Sequence, residues 1–317
     1  MNRHLNLMLR YVLYISPEFI RKRVHKKHSR REMQQWMEIC NRTKVSKEEI
    51  EQAVNALDID GKDVLLHTSM AKIGKMQGGP KWFCECLFKK MDLNSQTLLV
   101  SALPYRGRFS DYLKNIKRFD IRTAPIAMGV INERVANMPM AKRSLHPTHS
   151  VVAIGKDAEF YTSEHHLDQT PFGEHSPYYR LVKNRGKVVL FGTGLDSFTL
   201  VHVCEDLFGE NYPIRVYEKK RYEVTCVDEA GVEHVVVTPC HSAFWGIKRD
   251  IQPYRKNMEK EGVLTSFPLG ESEIMVIDAY HFVIWYLNEM KKGVTMYGRI
   301  KPKEEIIQQI EKIVNNL

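Results

Sequence analysis

Apolar positions along this chain fall into three patterns. Short continuous runs, Asp63-Val-Leu-Leu-His67, Thr97-Leu-Leu-Val-Ser101, Val151-Val-Ala-Ile154 and Lys187-Val-Val-Leu-Phe191, are bounded by glycine, proline or charge and predict buried strands. Helical spacing shows in Ile50, Val54 and Leu57 after Ser46-Lys47-Glu48-Glu49, a capping residue with an acid three positions on. A helix is expected within 34–60, ended by Gly61. Alternation over 214–238 (Ile214, Val216; Tyr222, Val224, Cys226; Val235, Val237) predicts antiparallel strands about a turn at Asp228–Gly231. Further helices are expected over Ala127–Val135, from Leu200 to Phe208, and near 247–262, 277–291 and 302–316, whereas 105–122 reads as loop.

Strands that alternate with helices, followed by antiparallel strands, predict an α/β fold: a single large domain with a mixed central sheet flanked by helices and antiparallel strands in its second half. No repeat and no linker divides it. The expected division is a helical basic extension over 1–60 and a catalytic domain over 61–317.

Composition changes this picture at one end. Leu5, Leu7, Met8, Tyr11, Val12, Ile15 and Phe19 make an apolar segment, and Arg21–Arg31 follows with seven Lys or Arg in RKRVHKKHSRR. The simplest reading is a helical arm on its own domain or on a second subunit, hence a homodimer. Residues 1–31 also suit peripheral contact with an anionic membrane. They lack the interleaved aromatics of a nucleic-acid arm, so no nucleic-acid partner is expected. Net charge is +9, which attracts anions. The six cysteines are scattered and no apolar run reaches about 20 residues, so a cytoplasmic protein with free thiols is expected.

Chemistry concentrates in Arg143–Pro177, which holds His146, His149, His165, His166 and His175 together with Asp168. Downstream, His202 and Glu205 share one helix face. The pair suits an acid and base working together. It equally suits a metal if His165, His166 or His175 adds a ligand. Neither a G-x-S-x-G elbow nor a recognisable cysteine nucleophile motif is present, which favours direct transfer from a bound donor. The strand–loop–helix from Asp63 through Ser69, Gly74, Gly78 and Gly79 could aim backbone N–H groups at phosphate.

Six stretches in order, HTSMAKIGKMQGG, Thr97-Leu-Leu-Val with a following proline, Thr123–Gly129 with Glu133-Arg134, RSLHPTHS, EHHLDQTPFGEHSPYYRL and GTGLDSFTLVHVCE, resemble the aminoglycoside 3-N-acetyltransferase family over roughly 62–290. The resemblance implies acetyl-CoA as co-substrate, an amino-sugar-type acceptor and no metal. It implies His165 as general base oriented by Glu205, and Thr199 polarising the thioester. It implies Ser69, Met70, Ile73, Gly74, Gly78, Gly79, Ser144 and His146 at the donor, and Asp168, His202 and Glu133 at the acceptor. Arg106, Arg108, Lys114, Lys117 and Arg118 make the segment after Tyr105 unusually basic. That favours an anionic acceptor, such as a phosphorylated amino sugar of polysaccharide synthesis, over a polycationic drug.

Overall fold

The computed structural model describes residues 43–317. The arm and basic run of residues 1–31, with the membrane and subunit contacts assigned to them, lie outside the described residues. So does the start of the helix expected from residue 34.

The strands used below are β1 Val64–Thr68, β2 Thr97–Ser101, β3 Arg118–Asp120, β4 Lys142–Arg143, β5 Val151–Gly155, β6 Lys187–Phe191, β7 Tyr217–Val227, β8 Glu233–His241, β9 Leu264–Leu269 and β10 Ser272–Asp278. The helices used below are α1 Lys47–Asn55, α2 Gly79–Lys90, α3 Phe109–Asn115, α4 Val130–Ala136, α5 Pro177–Lys183, α6 Val203–Asp206, α7 Ala243–Lys248, α8 Ala279–Lys291 and α9 Glu304–Asn316. Seven strands form one sheet in the order β9-β10-β6-β1-β2-β5-β4. Its centre, β6-β1-β2, is parallel, and every outer pairing is antiparallel. The mixed sheet matches the expected fold class.

The continuous apolar runs follow from burial on both faces of this sheet. Leu65, Leu99, Val188 and Leu190 point into one core, which α5, α8 and α9 cover. Val64, Leu66, Leu98, Val100, Val189 and Phe191 point into the other, under α1, α2 and α4. A fully buried aliphatic side chain contributes roughly 1.5–3 kcal/mol, so the sheet is the stable frame on which the loops are carried. A smaller core joins α3, β3, β7 and β8 through Leu113, Phe119, Val224, Cys226, Val236 and Cys240.

Several boundaries differ from expectation. The first helix starts at Lys47, where Ser46 and Glu49 form a complete capping box, and ends at Asn55 rather than Gly61. Val45, Ile50, Val54, Leu57 and Ile59 share a core with Val64 and Leu66, so packing does not break at residue 60. The stretch 105–122 contains α3 and β3, because Leu113 and Phe119 are buried despite the surrounding charge. The expected 247–262 helix splits into α7 and a turn of helix over Arg255–Lys260, separated at Pro253, whose ring cannot continue a helix. The β9–β10 hairpin, turning at Gly270 with φ +59°, was not expected at all.

Candidate active site

The C-terminal ends of the three parallel strands open at one edge of the sheet, where open α/β sheets place ligands. There the β1 and β6 exits are tied together: the Ser69 amide donates to the Phe191 carbonyl at 2.9 Å. Gly192 must be glycine, with φ +72°, because a Cβ would lie 2.5 Å from Ile73 Cγ1 and 2.7 Å from the Ser69 carbonyl. The antiparallel β5 begins at this same edge, Val151 opposite Ser101. The histidine-rich segment before it is therefore delivered here. Arg143 anchors that segment, donating to the Ala102 carbonyl at 2.8 Å and the Pro125 carbonyl at 3.1 Å.

Past β6, a 3₁₀ turn over Thr199–His202 runs into α6 and puts His202 and Glu205 side by side. His202 Nδ1 lies 3.0 Å from Glu205 Oε2. The carboxylate can only accept, so Nδ1 carries the proton and Nε2 carries the lone pair. The guanidinium of Arg249, which holds donors only, contacts that Nε2. Burial, opposed by the Glu205 charge and aided by Arg249, lowers the His202 imidazole to about 4, so it is neutral near pH 7. His241 Nε2 also donates to Glu205 Oε2, at 3.3 Å, and the Tyr297 hydroxyl donates to Oε1 at 2.5 Å. Burial alone would raise the Glu205 carboxyl. The charge and hydrogen bond of His202, with the hydrogen bond of His241, outweigh burial and hold it below the usual range.

Aromatic packing fixes this group. Phe172 stacks on the His202 ring at 5.0 Å between centroids, and His149 meets Phe172 edge-on at 4.9 Å. Asp206 accepts from the Phe172 amide at 3.0 Å and the Tyr217 hydroxyl at 2.9 Å. Burial raises its carboxyl to about 6. Phe109, the first residue of α3, packs against His149 at 5.4 Å and His241 at 6.5 Å, so the basic segment carrying Arg106 and Arg108 runs up to this cluster.

The expected pairing of His165 with Glu205 is not formed. His165 is fully buried. Its Nε2 donates to the Pro171 carbonyl at 3.0 Å, and its Nδ1 accepts from the Ser144 hydroxyl at 2.9 Å. With both ring nitrogens engaged, it has no lone pair to offer a substrate. Burial pushes it down to about 3. His146 stacks on it at 4.5 Å and accepts the amides of Thr148 and His149. Ser144 and His146, both fully buried, thus build the floor beneath the loop.

Asp168 accepts from the His175 amide and from His175 Nδ1, at 3.0 Å each, and braces its own loop. Glu133 lies exposed on α4. Ile73 is fully buried in the second core, and the Cα of Gly74 faces the Thr43 carbonyl. Ser69, Met70, Gly78 and Gly79 remain within reach of solvent. Thr199 donates to the Ser197 carbonyl at 3.2 Å. Among the described residues, the three side chains close enough to hold a cation together are His202, Glu205 and His241, without His165, His166 or His175. Its donors are engaged with one another, and a guanidinium occupies the outer face of His202. Sequence reasoning missed His241, Arg249 and Tyr297, which reach Glu205 and His202 from distant elements and carry no local motif.

All described cysteines are buried. Burial raises the thiols of Cys84, Cys86, Cys204, Cys226 and Cys240, so none is an activated thiolate.

The family model for aminoglycoside 3-N-acetyltransferases matches residues 65–290. Aminoglycoside N(3)-acetyltransferase III of Serratia marcescens is 31% identical over 154 residues, 45% of this chain and 56% of that protein. Aminoglycoside N(3)-acetyltransferase VII of Streptomyces paromomycinus is 33% identical over 165 residues, 47% of this chain and 55% of that protein. The chain thus spans a little over half the length of these curated relatives. Among solved structures, AAC-IIIb in binary complex with CoASH superposes with a TM-score of 0.63 at 22% identity, covering 82% of this chain and all of that one. A histidine-to-alanine variant of AAC(3)-IVa bound to apramycin superposes at 0.59 and 21% identity, covering 78% of this chain and 92% of that one. Identities this low establish the shared fold, while the family match spans most of the sequence. The chain belongs to the aminoglycoside 3-N-acetyltransferase family.

Proposed function

We propose that this chain transfers acetyl from acetyl-CoA directly to an amine of an amino-sugar-type acceptor, with His202 as general base and Glu205 as the residue that orients it. The observation that carries this reading is the Glu205–His202 dyad: a buried carboxylate fixes the Nδ1–H tautomer at 3.0 Å, so a proton is taken at Nε2 once the Arg249 guanidinium that contacts it moves aside. In the reaction the neutral amine attacks the thioester carbonyl, the C–S bond breaks, and coenzyme A leaves as thiolate. The amine proton passes to His202 Nε2. Glu205 stabilises the imidazolium, held by His241 and Tyr297 against rotation. Bringing both reactants into one cleft supplies much of the acceleration. Ser69, Met70, Gly78 and Gly79 are the donor contacts in this reading, and Thr199 faces the thioester once its hydroxyl turns from Ser197.

The acceptor in this reading carries negative charge, as a sugar phosphate or nucleotide does, because the basic segment before α3 leads to the His149–His241 cluster. A polycationic aminoglycoside is the second reading, supported by the neighbours solved with sisomicin and apramycin. Residues 1–31 would hold the enzyme near a membrane-bound glycan pathway. An acceptor screen with acetyl-CoA that detects released thiol tests this. Turnover of UDP- or dTDP-amino sugars with poor use of aminoglycosides is expected. Efficient acetylation of several aminoglycosides would overturn the anionic acceptor. Stoichiometric zinc with activity lost to chelators would overturn the mechanism.

A further inference from the structure

Arg249 meets an imidazole nitrogen where a cation more often meets an oxygen. Its charge is felt by His202, His149 and Tyr297. No carboxylate among the described residues pairs with it, although Arg255, Arg180 and Arg122 each hold one. Its side-chain partner is the Nε2 of His202, the atom that must accept a proton in the reaction proposed above. A guanidinium there keeps the imidazole neutral but also occupies the lone pair that makes it a base. For the base to work, the guanidinium must be drawn aside, and the partner it lacks is an anion.

Nearby structure permits that movement. Arg249 follows α7 directly, and its amide closes the helix onto the Trp245 carbonyl at 2.9 Å. Asp250 is fixed through its amide to the Met296 carbonyl at 2.8 Å. The backbone is thus held on both sides while the side chain is free to choose between the imidazole and a planar anion, which a guanidinium binds in fork geometry.

We propose that Arg249 is a specificity-determining residue: it caps His202 in the free enzyme and is drawn off by a phosphate or carboxylate on the acceptor, which uncovers the base. This rests on the acetyl-transfer reading and adds to it a selection step. An acceptor without an anionic group must displace the guanidinium with no compensating partner, so amino sugars that carry one are selected.

The test has two arms. In the first, kcat/KM is measured by thiol release for glucosamine, glucosamine 6-phosphate and 2-amino-2-deoxyglucuronic acid with the wild type and with Arg249→Gln and Arg249→Lys. The wild type is expected to prefer at least one anionic sugar over glucosamine by tenfold or more, and the sugar preferred tells phosphate from carboxylate. Arg249→Gln is expected to lower that ratio at least tenfold, and Arg249→Lys to restore part of it. An equal ratio in wild type and Arg249→Gln would overturn the proposal. The second arm needs no turnover. His202 is titrated by NMR with and without inorganic phosphate. Phosphate is expected to raise its midpoint in the wild type and to have no effect in Arg249→Gln, whose midpoint is already raised. No phosphate response in the wild type overturns the proposal. Absence of thiol release with every amine, including gentamicin, overturns instead the acetyl-transfer reading, and the titration still decides the fate of Arg249.

Discussion

His202 and His165 show how environment assigns chemistry to one residue type. Both are buried and neutral, but His165 spends both ring nitrogens on Ser144 and Pro171, whereas His202 is oriented by a carboxylate and its Nε2 meets only the movable guanidinium of Arg249. Loss of a positioned base costs about 10²–10⁴ in rate, so His202→Ala should lower kcat by that factor with the fold intact by circular dichroism. Glu205→Gln should lower kcat less, since it keeps a hydrogen-bond partner and loses the charge that stabilises the imidazolium. Donor and acceptor KM should change little in either variant, as steady-state kinetics would show. With the His202 midpoint near 4, the base is already neutral at pH 6–7. The acid limb of kcat/KM attributable to it should lie near pH 4, not near the ordinary histidine value. The sequence pointed to residue types that the structure gathers, Glu205 among them. It expected His165 beside Glu205, but pairing across a helix and a strand cannot be read from spacing, and the histidine that meets Glu205 sits three residues away.

At the level of elements, the hydrophobic pattern was sufficient where both faces are buried. β2 and β6 start and end at the expected residues, because apolar runs with sharp borders leave one register. It failed where burial is partial. α3 and β3 bury Leu113 and Phe119 but otherwise present charge, so their period is masked. The β6 exit is the element on which the site depends most. Gly192→Ala should destabilise by about 1–3 kcal/mol, since it combines a left-handed φ with a contact against the Ser69 backbone. It should also raise KM for acetyl-CoA more than it lowers kcat. Urea unfolding and donor titrations measure the two effects. A change in stability without a change in KM would detach this loop from the donor site. Ser46→Ala, by contrast, removes one capping bond far from the site. It should cost about 1 kcal/mol in the same unfolding assay.

Across the whole molecule, buried neutral histidines set the acid limit of stability. His67 and His202 are held near 4 by burial, and His165 near 3. In the unfolded chain each would titrate at about 6.5. The folded state therefore refuses protons that the unfolded state accepts, and stability falls as pH drops from about 6.5 toward 4 and then 3. Each group withdraws roughly 3–5 kcal/mol once its folded midpoint is passed, His165 the most. Tm should be level above pH 7 and decline steeply below 6. A Tm unchanged between pH 7 and 4.5 would contradict this burial. At this scale the sequence was most legible: the class of fold and the mixed central sheet followed from strand order and patterning. The cluster around Glu205 did not, since His241, Arg249 and Tyr297 come from the end of β8, the end of α7 and the turn after α8.

The central claim is that the working base is His202 held by Glu205. It is tested most directly by kcat for acetyl-CoA-dependent thiol release in His202→Ala and His165→Ala, each normalised to its folded fraction. The account predicts a loss of at least 10² in His202→Ala. It predicts that His165→Ala loses stability but keeps kcat within about tenfold in the molecules that remain folded. Wild-type kcat in His202→Ala, or the larger loss in folded His165→Ala, would contradict it.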